Sequence, residues 1–358
     1  MKHHIIRSIA VILALVLSIS VMGACQNMNT GTSDEKVAAV FEGEKISLTE
    51  AKLYAFMEQY EAEYQSGDYI SSYYGDPMTY WTTDMGGITM EQYARQYVVA
   101  RMLQTRVLLK YAETENITLT AEEQAHVDEL IAAFPEKYAK VIELSGASDE
   151  LIAKFMNNNA LANKAYAQII SGIDTTLDPD AMLRKRANGV SLYASLYKPR
   201  ENEEEDLVQF TSDERKANLT EVYDRVLQDI NDGMSYEDVV EKYKDEENVS
   251  VSAINDFGVG ASDAAEEGAE FTDYRQLAWT LGEGESGTMK LDYNGYFVTV
   301  TNADDPEYRA NAETAEINSR KAAAFAEKIE ALNKKYSRFH LYEDVYEETH
   351  FKEAVFEG

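Results

Sequence analysis

The stretch GMSYEDVVEKY, residues 233–243, decides how the second half of this chain is interpreted. Ser235 stands three residues before Asp238, which is the spacing of a side chain that caps the first backbone N–H groups of a helix. Gly233 fits the end of a preceding helix, because glycine readily adopts the left-handed conformation that closes helices. The pattern therefore predicts one helix over about 213–231 and a short second helix that begins after Ser235.

A strand, an aromatic helix and a hairpin accompany these two helices. Residues 274–281 (YRQLAWTL) predict the aromatic helix. The Asn294-Gly295 pair predicts a two-residue hairpin turn with positive φ at both residues, and residues 296–300 continue from it as a strand. Earlier in the chain, residues 189–198 alternate between apolar and polar side chains, which predicts a strand with one apolar face formed by Val190, Leu192, Ala194 and Leu196.

This order of elements resembles a parvulin-type (PpiC) peptidyl-prolyl isomerase domain. Residues 233–243 are similar to the family pattern G-x-S/D-F-E-x-L-A-x-x-Y, residues 274–281 to F-E-x-A-A-F-x-L, and residues 256–258 (DFG) to D-L-G. The resemblance implies an α+β domain over 188–303 and rotamase activity toward X-Pro bonds. That reaction breaks no covalent bond. The enzyme lowers the barrier to rotation about the X-Pro peptide bond, which is roughly 20 kcal/mol.

The residues that would form the prolyl pocket of such a domain are largely replaced. By the resemblance, Leu196 and Phe297 stand where the family places its two active-site histidines, Glu270 replaces a pocket methionine and Tyr274 a pocket phenylalanine. An ionised Glu270 would be costly to bury in an apolar wall without a partner. No residue is assigned as catalytic, and the degenerate pocket positions are Leu196, Asp245, Phe257, Glu270, Tyr274 and Phe297. The predicted peptide-binding residues of this domain are Phe257, Phe271, Tyr274 and Phe297.

The first half of the chain predicts a helical domain over 37–187. A strand over 37–41 precedes a Ser47-x-x-Glu50 capping box, and helices are predicted to about residue 64 and over 90–115, 120–144 and 149–170. The opening strand and turn, and the stretch GASDELI at 146–152, resemble PrsA, SurA and trigger-factor-like chaperones. That resemblance implies that a C-terminal helix within 307–340 folds back to complete the domain. The predicted fold class is therefore α+β, a helical chaperone-like domain with an inserted parvulin-like domain, and the tail 341–358 is unassigned.

A loop rich in aromatic residues is predicted over 65–87, between the first two long helices. Its length exceeds that of a usual connection inside a compact domain. Exposed aromatic side chains with little charge around them can form a polypeptide-binding surface, although they can equally pack back onto the helices. The loop residues predicted to bind peptides are Tyr73, Tyr74, Tyr80 and Trp81.

The N-terminus predicts export from the cytoplasm. Residues 1–24 combine a basic start with a short apolar run, which is typical of a secretory signal peptide. Cys25 follows Met22-Gly23-Ala24, which resembles a bacterial lipobox, so Cys25 is predicted to carry a lipid. An ordinary signal peptide with an incidental cysteine is the alternative. Residues 25–36 are polar and predict a flexible tether.

The formal net charge of −31 excludes steering of this chain to nucleic acid by its overall field. The five histidines are scattered and no phosphate-binding glycine loop is present, so no metal and no cofactor are predicted. The sequence predicts a lipid-anchored chaperone or foldase on the extracytoplasmic face of a bacterial membrane. Its expected partners are unfolded or partly folded exported polypeptides, and a homodimer is possible.

Three functions stay open at this point. The first is a chaperone whose parvulin-like domain is weak or inactive as an isomerase. The second is an active prolyl isomerase whose pocket uses Phe257, Tyr274 and Phe297 without histidine. The third is a ligand-binding lipoprotein of a transporter, which would show two similar α/β lobes.

Overall fold

The computed structural model describes residues 35–199, 207–264, 266 and 269–356. The predicted signal peptide, Cys25, almost all of the predicted tether and the acidic run 201–206 lie outside the described residues. The chain divides into two compact units. The helical unit consists of residues up to Ile173 together with those from Arg320 onward, and the sheet unit is Asp174–Ser319. The predicted α+β class, with a small α+β unit inserted into a helical one, is confirmed.

The helical unit begins with a β-hairpin and continues as six helices. Side-chain oxygens of Ser47, Thr89, Thr120 and Ser148 accept hydrogen bonds from backbone N–H groups of the first turn and so begin four of these helices. The elements are β1 (Val37–Phe41), β2 (Glu44–Ser47), α1 (Leu48–Tyr74), α2 (Pro77–Thr82), α3 (Met90–Glu115), α4 (Ala121–Lys137), α5 (Ala139–Ser145) and α6 (Asp149–Ile170).

In the described residues, the sheet unit contains a four-stranded antiparallel sheet, three α-helices, a 3-10 helix at Ala261–Asp263 and the first part of a long helix. Its elements are β3 (Arg184–Ala194), α7 (Ser212–Asn231), α8 (Tyr236–Tyr243), β4 (Val249–Gly260), α9 (Tyr274–Thr280), β5 (Ser286–Lys290) and β6 (Asn294–Asn302). The strand order is β4-β3-β6-β5. The chain then continues as α10 (Pro306–Lys335), whose residues are divided between the two units. β7 (Phe339–Leu341), α11 (Glu343–Tyr346) and a 3-10 helix (Glu347–Thr349) follow.

The predicted loop over 65–87 is wrong for most of its length. Helix α1 continues to Tyr74, and Asp76 begins α2 by accepting hydrogen bonds from the N–H groups of its first turn. Gly67 lies inside α1, where glycine costs about 1 kcal/mol relative to alanine. The burial of Ile70 and of Trp81, each 1% exposed, offsets that cost. Tertiary packing therefore overrides the local turn signals.

The C-terminal segment completes the helical unit. Strand β7 pairs with β1 and extends the first hairpin to three strands in the order β2-β1-β7. The C-terminal part of α10 buries Phe325 and Leu332 in a core that also contains Val107 of α3 and Ala165 of α6. The folding back of this helix onto the N-terminal helices is confirmed. None of the helices in the described part of the chain is long and apolar enough to cross a membrane.

The two faces of the sheet are covered differently. Helices α7 and α8 pack on one face, over a core that includes Val190, Leu192, Val226 and Phe297. Helix α9 packs on part of the other face, over Ala187, Val259, Val298 and Val300. Because successive strand residues point to opposite faces, every position on β3 and β6 is committed either to the α7 face or to the α9 face. No described helix covers the part of the α9 face that lies beyond α9.

The predicted hairpin turn at Asn294-Gly295 is wrong. Both residues belong to β6, and the loop before it is closed by a hydrogen bond from the Leu291 N–H to the Asn294 carbonyl, 2.7 Å. Gly295 is not among the glycines with positive φ. A Cβ atom at Gly295 would lie 2.6 Å from Cδ2 of Tyr223, so the glycine is required by the close approach of the α7 ring.

This difference makes a prediction about Gly295. Replacement by either Ala or Asn should destabilise the sheet unit to a similar extent, by about 1–3 kcal/mol, because any Cβ meets the Tyr223 ring. Gly146 is the matched control, since it has φ of +71° and no atom within 4 Å of an added Cβ. At Gly146, Asn should be tolerated better than Ala. Urea unfolding of the four variants tests both statements, and a clear advantage of Asn over Ala at position 295 would contradict the first.

Candidate functional site

A groove of about 540 Å³ lies on the open part of the α9 face of the sheet. Strands β3, β4 and β6 form its floor, and the first residue of α9 forms part of its wall. We call it the sheet groove. It is lined by Ser191, Leu192, Tyr193, Ala253, Ile254, Asn255, Phe257, Tyr274, Asn294 and Tyr296.

Three aromatic rings form a continuous wall in this groove. The rings of Phe257 and Tyr274 meet edge to face, with centroids 5.0 Å apart and an interplanar angle of 88°. The rings of Tyr274 and Tyr296 follow at 5.4 Å. Tyr274 is held at the start of α9 because the Asp273 carboxylate accepts a hydrogen bond from the Arg275 N–H, 2.6 Å. Such ring contacts stabilise an aromatic cluster by about 0.5–1.5 kcal/mol per pair beyond the burial of their area.

A bulge brings Phe257 to this wall. The β3–β4 register shifts between Ala187 and Gly189, which pair with Phe257 and Ile254 respectively. Two residues of β4 therefore lie opposite one residue of β3, and the alternation of β4 side chains reverses at that point. Val251 before the bulge belongs to the core under α7, whereas Phe257 after it packs with the residues under α9.

The described lining of the sheet groove is uncharged. Among the residues that the structure describes, none that line it is acidic, basic or histidine. Burial raises the pKa of Tyr296, and the nearby Asp273 carboxylate adds to the increase, so this phenol is neutral at physiological pH. The described lining therefore offers apolar rings, hydroxyl groups and amides for binding. It contains no carboxylate, amine or imidazole that could activate the Ser191 hydroxyl for covalent chemistry.

The structure brings together two of the residues predicted for the prolyl pocket. Phe257 and Tyr274 are in contact in the groove. Asp245 is exposed in the turn after α8, and Glu270 is exposed, so Glu270 is not buried in an apolar wall as the resemblance had suggested. Phe271 is partly buried and is not among the lining residues.

The two positions that correspond to the family's histidines do not face the groove. Leu196 lies beyond the end of β3 and is 37% exposed. Phe297 is 0% exposed and stacks on Tyr223 of α7, with centroids 4.8 Å apart. Its predicted place in a peptide pocket is contradicted, because strand alternation turns Phe297 to the α7 face and Tyr296 to the groove. Sequence reasoning missed two aromatic residues of the groove, Tyr193 and Tyr296. Tyr296 alternates with Phe297 and lies on the same face of β6 as Val298 and Val300, and this alternation is the signal that identifies it.

A second group of aromatic side chains lies on the helical unit. Tyr69, Tyr73, Tyr74 and Tyr80 of α1 and α2 form a chain of ring contacts, with successive centroids 4.7 to 5.8 Å apart. We call it the tyrosine patch. Tyr73 is 75% exposed and Tyr69 is 51% exposed.

Trp81 supports the tyrosine patch from below and is not part of its surface. Its ring contacts Tyr80 and Phe351 at 4.8 and 4.9 Å, and it is 1% exposed. Its indole N–H donates to Glu63 Oε1 at 2.8 Å. Trp81 was predicted to bind peptides, and its burial contradicts a direct contact.

The segment that carries the tyrosine patch is acidic. No lysine, arginine or histidine occurs between Lys52 and Arg95 in the sequence. The hydrogen bond from the Thr79 hydroxyl lowers the pKa of Asp76, and hydrogen bonds from the backbone N–H groups of Thr79 and Met78 lower it further. The N–H groups of Gly87 and Gly86 lower the pKa of Asp84 in the same way. Both carboxylates are therefore ionised at neutral pH, which favours basic over acidic chain segments near the patch.

Strand alternation on β6 yields a second prediction. Phe297→Ala should destabilise the sheet unit by about 3–5 kcal/mol, because it removes a fully buried ring. Tyr296→Ala should cost less than about 2 kcal/mol, since its ring is only partly buried. Urea unfolding of the two variants is the measurement. Equal losses, or a larger loss for Tyr296→Ala, would show that the alternation is assigned to the wrong faces.

No protein-family model and no curated protein matches the chain. Among solved structures, it is similar to the peptidylprolyl isomerase PrsA from Bacillus cereus, with a TM-score of 0.33, 13% sequence identity, and coverage of 89% of this chain and 100% of the other. The foldase PrsA from Lactococcus lactis gives a TM-score of 0.30 and 12% identity, with coverage of 88% and 100%. A SurA-like chaperone of Campylobacter jejuni gives 0.28 and 12%, with coverage of 85% and 98%.

Proposed function

We propose that this protein is a chaperone of the foldase type that holds unfolded segments of exported polypeptides, and that the sheet groove is a binding site for them. The observation that carries the proposal is the uncharged aromatic wall formed by Phe257, Tyr274 and Tyr296. Aromatic rings with hydroxyl and amide groups beside them contact apolar side chains, proline rings and peptide groups alike. Such a surface suits partners of different sequence that each expose an unfolded stretch of polypeptide.

The sequence resemblance supports the same function. The parvulin-like motif at 233–243 forms α8, whose N-terminus is capped by Ser235, so the motif serves the scaffold under the sheet. Tyr243 at its end is buried in the core under α7 and donates a hydrogen bond to Asp229, 2.6 Å. The residues of the motif thus support the sheet whose other face carries the aromatic groove.

Isomerisation of prolyl bonds in this groove is proposed to be weak or absent. An isomerase must favour the twisted amide over both planar forms, which requires polar groups arranged around that state. The residues at the two histidine positions, Leu196 and Phe297, do not line the groove, so the network implied by the resemblance has no counterpart there. An active isomerase built on Phe257, Tyr274 and Tyr296 is the competing outcome.

The tyrosine patch is proposed as a second contact surface for the same polypeptides. Its exposed rings and the ionised Asp76 and Asp84 combine apolar contact with attraction for basic side chains. We propose that the chain acts on the extracytoplasmic side of a bacterial membrane, held there by a lipid on Cys25. The motif around Cys25 supports this location.

The proposal is tested with the protein, an aggregating unfolded client and a set of X-Pro peptides. The unmodified protein should suppress aggregation at near-stoichiometric amounts. The double variant Tyr274→Ala/Tyr296→Ala should bind client peptides at least about ten-fold more weakly, which corresponds to about 1.4 kcal/mol. Tyr197→Ala is the matched control, because Tyr197 is an exposed tyrosine of the same unit that does not line the groove.

Three outcomes would contradict this assignment. Absence of holding activity would remove the chaperone function. An equal loss for the groove variant and for Tyr197→Ala would remove the groove as the site. Strong acceleration of prolyl exchange that disappears in the groove variant would establish the isomerase instead.

A further inference from the structure

Strand β4 (Val249–Gly260) lies at one edge of the sheet, and among the described strands it pairs only with β3. In an antiparallel strand, the backbone groups of alternate residues point to opposite sides, so about half of the donors and acceptors of β4 point away from β3. Within the described residues, no other backbone segment donates to or accepts from β4 along that outer side. In the second half of β4, the Tyr308 hydroxyl donates a hydrogen bond to the Asp256 carbonyl, 3.1 Å, and the Asp263 carboxylate accepts one from the Gly260 N–H, 2.9 Å. The part of the edge over residues 249–254 is the part available for main-chain pairing among the described residues.

The usual protections of an edge strand are scarce on β4. Exposed edges are normally short, or they carry lysine or proline, which discourages pairing with other chains. β4 has twelve residues, VSVSAINDFGVG, with no lysine and no proline. Its bulge, opposite the stretch from Ala187 to Gly189, affects only the second half of the strand and leaves residues 249–254 in regular register.

The outer edge of β4 continues into the sheet groove. Ile254 and Phe257 of β4 line the groove, and the aromatic wall begins at Phe257. A chain added alongside β4 would direct every second side chain to the groove face, because side chains alternate along a strand. Main-chain pairing and groove contact can thus act on the same segment.

Charge argues against a second copy of this protein as the occupant. Asp245 and Glu247 precede β4, and Asp263 and Glu266 follow it. In an antiparallel pair of β4 strands these acidic ends would lie against each other, and like charges opposite one another are destabilising. The net charge of −31 adds to the repulsion between copies. A neutral or basic segment of another polypeptide meets no such repulsion.

We infer that β4 recognises an extended, neutral or basic segment of a client polypeptide by adding it to the sheet as a fifth strand. The inference rests on the proposed function for the identity of the client and deepens it by naming how the client is held. Main-chain hydrogen bonds give affinity without reading the sequence, whereas groove contacts add a preference at alternate side chains. This mode accounts for binding of many different unfolded chains.

The test uses the full protein and a peptide of alternating Val and Lys, about ten residues long so that it spans the regular half of β4. Two further peptides carry N-methyl groups that remove every N–H on one edge or on the other. The inference predicts that one methylated peptide binds at least about ten-fold more weakly and that the other binds like the parent, since only one edge pairs with β4. A Val-Glu peptide of the same length should also bind more weakly than the parent.

Amide hydrogen exchange on the same samples locates the contact. The parent peptide should protect amides of β4, whereas amides of β5, the opposite edge of the sheet, should be unchanged. Equal binding of all three Val-Lys peptides, with loss in Tyr274→Ala/Tyr296→Ala, would overturn strand addition and leave the proposed function standing. Protection of β4 in the free protein that rises with protein concentration would assign the edge to a second copy and overturn the inference.

Discussion

Strand alternation on β3 and β6 is the constraint on which the candidate site depends. Each side chain of these central strands points either to the face covered by α7 and α8 or to the face that α9 covers only in part. Phe297 and Tyr296 are neighbours in sequence, yet one is a core residue and the other lines the groove. The close approach of Tyr223 to Gly295 fixes this arrangement, because α7 can pack so tightly only where β6 has no side chain.

The helical unit depends on a buried carboxylate in a comparable way. Glu63 is 2% exposed and accepts hydrogen bonds from Gln59 and Trp81 and from the backbone N–H groups of Val355 and Phe356, at 2.7 to 2.8 Å. These four donors satisfy an acid that would otherwise be costly to bury. They also fix the C-terminal segment to α1 and hold Trp81 beneath the tyrosine patch, so the patch and the tail belong to one packed structure.

Much of the fold could be predicted from local patterns, and the errors have identifiable causes. Helix α3 has the predicted bounds, and the cap at Ser235 begins α8 as expected, because capping and helical periodicity are local. The extension of α1 through Gly67 could not be predicted locally, since it depends on distant residues that bury Ile70 and Trp81. The position of the C-terminal tail could not be predicted locally either, because it depends on the hydrogen bonds from Val355 and Phe356 to the distant Glu63. In the groove, Phe257 and Tyr274 could be predicted from the resemblance. Tyr296 could not be predicted from it, because a gapless alignment with a family pattern does not determine which face a replaced residue takes; only the alternation along β6 places it.

Contact between unfolded client segments and the aromatic wall of the sheet groove is tested most directly by NMR. Spectra of the protein with ¹³C-labelled tyrosine rings are recorded with and without an unfolded client peptide. We expect the resonances of Tyr274 and Tyr296 to shift or broaden, whereas that of Tyr223, which α7 buries against the opposite face of the sheet, should stay unchanged. Unchanged resonances of Tyr274 and Tyr296 at a peptide concentration that saturates binding would contradict this expectation.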